Sequence, residues 1–167
     1  MSEQLHTFAL EAAQFEKWAT ESHANGAAAA RQALLRISHL YSAALHLPPA
    51  WANDLEDKPD FPRVESSEDL LIVAYKSIPL DMYGEVFDPL TIPSEEPVIG
   101  SIADDIIDIY RDVVTGLRAY RLGDLANARW EWAFNFAHHW GEHATGAIRA
   151  LHAWLAANAP DDLAESP

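Results

Sequence analysis

The chain of 167 residues contains no cysteine. That excludes disulfides, thiolate catalysis, cysteine-ligated zinc and iron–sulfur clusters. Positive charge is scarce: eleven Lys+Arg stand against twenty-six Asp+Glu, a formal net charge of −15. So acidic a surface repels phosphates, which argues against nucleic acid and anionic membranes as partners. No apolar run approaches ~20 residues, so no bilayer span is predicted. The opening MSEQLHTFALE has no basic n-region, which predicts no signal peptide and a cytoplasmic location. Only seven glycines occur, without a G-x-S-x-G elbow, P-loop or dinucleotide pattern. No internal repeat is visible, which argues against a solenoid.

What is present is unevenly distributed. Between Asp54 and Asp112 lie sixteen acids and four bases, a net of −12. Eight of the ten prolines fall between Pro48 and Pro97. The length suits one domain with an adequate core. We read a single all-α domain over 1–160: a helical pair (1–47), an acidic proline-rich connection (48–100) and a second helical pair (101–158). A disordered tail is expected at 161–167. The fold class is a helical bundle of four long helices plus one or more short ones, wrapped by the connection, with up-and-down order expected.

In the front pair, Leu5, Phe8, Ala12, Phe15 and Ala19 share one helix face, widened by Trp18. Asn25-Gly26 is a stop-and-turn signal. Ala30, Leu34, Ile37, Tyr41 and Ala44 form the next stripe, which Leu47-Pro48-Pro49 must end. In the connection, Ser66 and Asp69 resemble a capping box that opens a short helix through Tyr75. Tyr83 to Pro89 and Pro93 to Pro97 read as ordered loop. Trp51, Phe61, Tyr83 and Phe87 argue against disorder, and are expected to tuck against the helices.

The back pair opens on Ser101 as N-cap with Asp104 at N3. Ile102, Ile106, Ile109, Val113, Leu117 and Tyr120 form its stripe, with Gly123 as C′ and Asp124 as the next N-cap. A last helix is predicted from Asp124 to about Asn158. Gly141 and Gly146 inside it point to a bend or close helix contact. One stripe on it runs Trp130, Phe134, Ala137, Gly141, Ala144, Ile148, Leu151; a second holds Trp132, Phe136, Ala147, Trp154.

One constellation carries possible chemistry. On the helix from Ser101, Asp105 and Asp112 fall roughly 80–100° from the centre of the core face, and Asp108 about 140°. They form an acidic ridge along the core edge, beside Arg111. On the last helix, His139 and His143 stack at i,i+4 and can share one metal. Asp105, Asp108 and Asp112 are the candidate oxygen ligands if the helices face each other. No Glu-x-x-His or HExxH motif is present, and no cofactor is predicted beyond a possible divalent metal. The competing reading is an internal polar network, neutralised by Arg111 and Arg129. Glu85 and Asp88, in a loop beside Tyr83 and Phe87, are weaker candidates for acid/base work.

Residues 100–112 (GSIADDIIDIYRD) with Gly116-Leu117 resemble the first signature of a bacterial family, numbered 5063 among the domains of unknown function. Trp130-Glu131-Trp132, Phe136 and His138-His139-Trp140-Gly141-Glu142-His143-Ala144 resemble its second. Leu40-Tyr41 to Leu47-Pro48 and Phe87-Asp88-Pro89 are similar to weaker landmarks. The resemblance implies an all-helical domain without an assigned activity, and puts both signatures on the two helices singled out above. Three functions stay open. The first is a non-enzymatic interaction or adaptor domain, whose acidic surface suits a basic or hydrophobic protein partner or a second copy of the chain. The second is a metal-binding bundle with the Asp/His site, hydrolytic or redox. The third is a small-molecule pocket lined by Trp132, Trp140 and His139.

Overall fold

A computed structural model of the chain describes residues 2–54, 62–64 and 71–163. Four long helices dominate: α1 (Ser2–Thr20), α2 (Ala27–Ala44), α3 (Ile102–Arg121) and, last in the chain, α6 (Trp140–Asn158). Among the described residues the fold is all-α apart from one two-stranded antiparallel ribbon, β1 (Met82–Glu85) and β2 (Val98–Ser101). Two short helices, α4 (Leu125–Arg129) and α5 (Asn135–His138), flank a π turn at Trp130–Phe134.

The local signals act where they stand. Ser101 accepts the Asp104 amide at 3.2 Å, and Asp124 accepts that of Asn127 at 3.1 Å. Gly26 and Gly123 have φ of 90° and 81°, a left-handed conformation that costs other residues strain. The expected α1 stripe is buried from Leu5 to Ala19, as is that of α3 from Ile102 to Leu117.

The helices meet in the ring order α1–α2–α6–α3. A simple up-and-down chain would instead set the second long helix against the third. Here the long connection lets the chain cross the bundle between α2 and α3. Part of that connection is the β ribbon, where sequence suggested loop at Tyr83 to Glu85. Short strands supported by one partner and a helix leave little periodic signal. Its end is tied to α3 by the Ile102 amide on Asp81 O at 2.9 Å. The start of the expected Ser66 helix lies outside the described residues. Its remainder is not α-helical, since only a 3-10 turn at Ala74–Ser77 forms. There the Val73 amide reaches Ala19 O at 2.9 Å and anchors the segment to α1.

The aromatic rings of the connection do not all tuck in. Trp51 and Phe87 are exposed, Tyr83 is partly buried, and Phe61 lies outside the described residues. At the other end, a 3-10 turn at Pro160–Asp162 extends past the expected start of the tail, and Leu163 packs on the core.

The last predicted helix is broken. The π turn adds a residue to one turn and rotates the helix phase. Trp132 therefore enters the core, whereas Trp130 and Phe134 stack on each other, half-buried, at 4.6 Å. His139, at φ −152° and ψ −85°, then interrupts the helix and starts α6 on a new axis. Gly141 follows at once because the chain folds tightly there: a Cβ would come within 2.1 Å of Phe136 O.

Candidate functional site

Helices α3 and α6 run antiparallel, because Asp105 meets His143 and Asp112 meets His139. Each contact is an imidazole Nδ1–H donating to a carboxylate, at 2.9 Å to Asp105 and 2.7 Å to Asp112. The acids are two turns apart and the histidines about one, so the pairs splay. Asp108 occupies the gap. Its Oδ2 lies 3.6 Å from His143 Nε2, and its Oδ1 accepts from Arg111 at 3.0 Å. The two imidazole rings are 5.0 Å apart, edge to face.

Burial sorts the five residues into two layers. The side chains of Asp105 and Asp112 are 4% and 1% exposed, behind the rings. Asp108, His143 and His139 are 25%, 29% and 47% exposed, in front. One ligand atom from each of these three lies within 4.8 Å of the other two. Atoms sharing an ion at ~2.1 Å lie at most ~4.2 Å apart, so the three side chains would have to draw closer to hold a cation. The sequence reading offered all three aspartates as oxygen ligands. The structure brings all three together, but two of them are turned toward imidazole Nδ1 atoms.

Burial pushes the Asp105 and Asp112 carboxyls above the usual range, opposed by the hydrogen bonds from His143 and His139. The bond to Asp105 raises His143 in turn, against its own burial. Beyond Asp105 the network reaches the ribbon. The Tyr83 hydroxyl lies 2.9 Å from Asp105 Oδ2 and 3.2 Å from Glu85 Oε2. Burial and the neighbouring Asp105 charge hold this phenol above its ordinary pKa. A Cβ at Gly146 would sit 2.5 Å from both Tyr83 OH and Glu85 Oε1, so a larger residue there would displace these two side-chain tips from their places against α6. Glu85 thus touches the edge of the site. Asp88 does not: it accepts from the Thr91 hydroxyl and the Leu90 amide of its own turn, which lowers its pKa.

The other face of the site opens into a cleft of about 480 Å³ lined by Arg63, Val64, Asp108, Arg111, Asp112, Asn135 and His139. Arg63 pairs with Asp112 Oδ1 and lies 3.7 Å from Glu131 Oε2, which also accepts from Asn135 at 2.9 Å. The Val64 amide fixes this strand of chain by donating to Thr115 Oγ1 at 3.1 Å. Sequence reasoning missed Arg63, Tyr83, Glu131 and Asn135. Only the rarity of bases in the acidic stretch marked Arg63, and no spacing rule links it to Asp112. Arg129, expected to neutralise the ridge, instead pairs with Asp54 at 2.6 Å, whereas Arg111 does serve Asp108.

Trp132 and Trp140 are wholly buried and line no part of this cleft. Their indole N–H groups donate to Val113 O and Trp132 O at 2.9 and 3.1 Å. Both rings pack on Phe8, at 4.8 and 6.1 Å between centroids. Trp132 turns inward within the π turn and Trp140 at the start of α6, while His139 between them stays exposed.

Among the described residues no helix is long and apolar enough to cross a membrane. The fold is shared with the crystal structure of protein BF1032 from Bacteroides fragilis, at a TM-score of 0.67 and 24% identity, covering 98% of this chain and 94% of that one. No curated protein matches the chain. Its family is shown by a match over residues 1–157: the chain belongs to DUF5063, a domain of unknown function.

Proposed function

We propose that this domain is a metal-binding helical bundle in which Asp108, His139 and His143 hold one divalent transition-metal ion. The observation that carries this reading is the pairing of each histidine Nδ1 with a buried aspartate. A carboxylate behind an imidazole fixes the tautomer with the proton on Nδ1 and directs a basic Nε2 outward, as metal sites require. Two imidazoles and one carboxylate suit zinc or ferrous iron. Three protein ligands leave positions open toward the cleft, so the ion would supply water activation or redox chemistry there.

Elemental analysis of untagged protein after anaerobic incubation with Zn(II), Fe(II) or Mn(II) tests this. We expect about one equivalent bound, and a rise in Tm of about 5–10 °C at a hundredfold excess over Kd. Less than about a tenth of an equivalent, with no thermal shift from any of the three, sinks the reading.

A second observation favours an interaction role alongside it. Phe87, Leu90 and Ile92 stand exposed at the far end of the ribbon, among acids including Asp88, Glu95 and Glu96. Such a tip suits a partner with an apolar surface and a basic rim, or a second copy of the chain. The combined variant F87S/L90S/I92S should release a partner that the native chain retains, while keeping its metal. Equal retention by both chains, together with a monomeric native protein in sedimentation, removes this role.

A further inference from the structure

We propose that the site's substrate is a small oxyanion, a phosphate or carboxylate group, bound in the cleft with one oxygen on the metal and another on the Arg63 guanidinium. This rests on the metal-site reading and extends it to the class of ligand.

The argument is one of local charge and reach. A chain of net charge −15 repels anions over most of its surface, so anion capture needs a concentrated positive site. Two of the eleven Lys+Arg, Arg63 and Arg111, line this single cleft. Each is held by a carboxylate of the site, Arg63 by Asp112 and Arg111 by Asp108. Without an ion, those two acids balance the two guanidinium groups. Glu131 beside Arg63 and Asp105 behind His143 add two buried negative charges, which a divalent cation offsets. The ion and the two guanidinium groups would then face the cleft, with Asp105 and Glu131 buried behind them, so an anion entering the cleft meets positive groups first.

The geometry puts the two anchors side by side. Asp112 spans them, taking Arg63 on Oδ1 and His139 on Oδ2. The guanidinium and the His139 ring therefore flank one carboxylate on the wall of the same cleft. Arg63 is half-exposed, and its fork of five donors can keep Asp112 while binding a second group. Asn135, nearly buried and oriented by Glu131, adds an amide to the wall. The cleft volume of about 480 Å³ matches a metabolite-sized ligand rather than a polymer.

The experiment uses the full chain loaded with Co(II) or Zn(II), its metal content measured first. Inorganic phosphate and acetate are titrated separately, by calorimetry and by the visible spectrum of the Co(II) form. At least one should bind with a changed Co(II) spectrum, and the stronger arm identifies the phosphate or carboxylate class. Arg63→Gln should weaken that binding at least about tenfold with metal content unchanged, as loss of a charge-assisted pair implies. Arg63→Lys, which keeps the charge but loses the fork, should fall between them. Arg36→Gln, remote on α2, should bind as the native chain does. A fully metallated protein that ignores both anions, or one in which Arg63→Gln equals Arg36→Gln, overturns the oxyanion proposal and leaves the metal site standing. Failure to take up metal overturns both.

Discussion

Asp112→Asn should lower the metal affinity of the site by about 10–100-fold, although Asp112 is not itself placed on the metal. The reason is a forced tautomer. Arg63 demands an acceptor at the Oδ1 position, so the amide must turn its carbonyl there and its NH2 toward His139. His139 Nδ1 must then accept, and the ring proton moves to Nε2, the atom the ion needs. Asp105→Asn should be milder. Its other neighbour is the Tyr83 hydroxyl, which can accept from the amide and donate to Glu85, leaving His143 undisturbed. Competition with a chromophoric chelator measures both variants. The scheme fails if Asp112→Asn binds metal as tightly as the native chain, or if the two variants rank the other way.

The double variant H139A/H143A should abolish uptake while leaving the helical content intact. Asp112 keeps Arg63, Asp105 keeps the Tyr83 hydroxyl, and removing two partly exposed rings lets water reach both acids. Acid should displace the metal too. An imidazole ligates only when neutral, and Asp105 raises the His143 pKa. Uptake should therefore begin to fall at a higher pH than the ~6.5 of an unperturbed imidazole.

The largest expected effect on stability is at Trp132. Trp132→Ala should cost about 3–5 kcal/mol, lowering Tm by about 6–20 °C for a chain of this length. The ring is wholly buried, between Phe8 at 4.8 Å and Tyr120 at 5.7 Å, and its N–H donates to Val113 O. It packs directly on Gly116 of α3, where a Cβ would come within 2.3 Å of Nε1 and 2.5 Å of Cδ1. Gly116→Ala should therefore cost about 1–3 kcal/mol through overpacking, even though alanine favours helix by about 1 kcal/mol. In the Trp132→Ala background its sign should reverse. The methyl then enters vacated space and only the gain in helix propensity remains. Thermal or urea unfolding of the four proteins gives this coupling. If Gly116→Ala destabilises both backgrounds equally, contact with Trp132 is not why glycine stands there.

Much of the architecture was legible because it is written in short-range patterns. The α1 and α3 stripes, the Ser101 and Asp124 caps and the turns at Gly26 and Gly123 each depend on residues a few places apart. The same periodicity misled where the backbone left its period. Trp130 and Phe134 fell in one predicted stripe and Trp132 in the other, and the π turn before α5 gave the core to Trp132 while leaving Trp130 and Phe134 half-buried. The ribbon was missed because its pairing runs from Met82 to Ser101 and appears in neither strand alone.

The candidate site divides the same way. Asp105, Asp108 and Asp112 on one helix, and His139 and His143 on the next, could be picked out from helical spacing and the degree of core exposure. Whether they meet, and in which order, depended on the antiparallel register of α3 and α6, set by the packing of Ile, Val and Trp side chains far apart in the chain. That register put Asp112 and Asp105 behind the rings and left Asp108 in front. Arg63 and Tyr83 arrive from the connection, and no local rule predicts their contacts. One-dimensional spacing encodes a helix and its faces through backbone geometry. The division between supporting and exposed carboxylates is a consequence of close packing between helices, and exists only once the bundle is assembled.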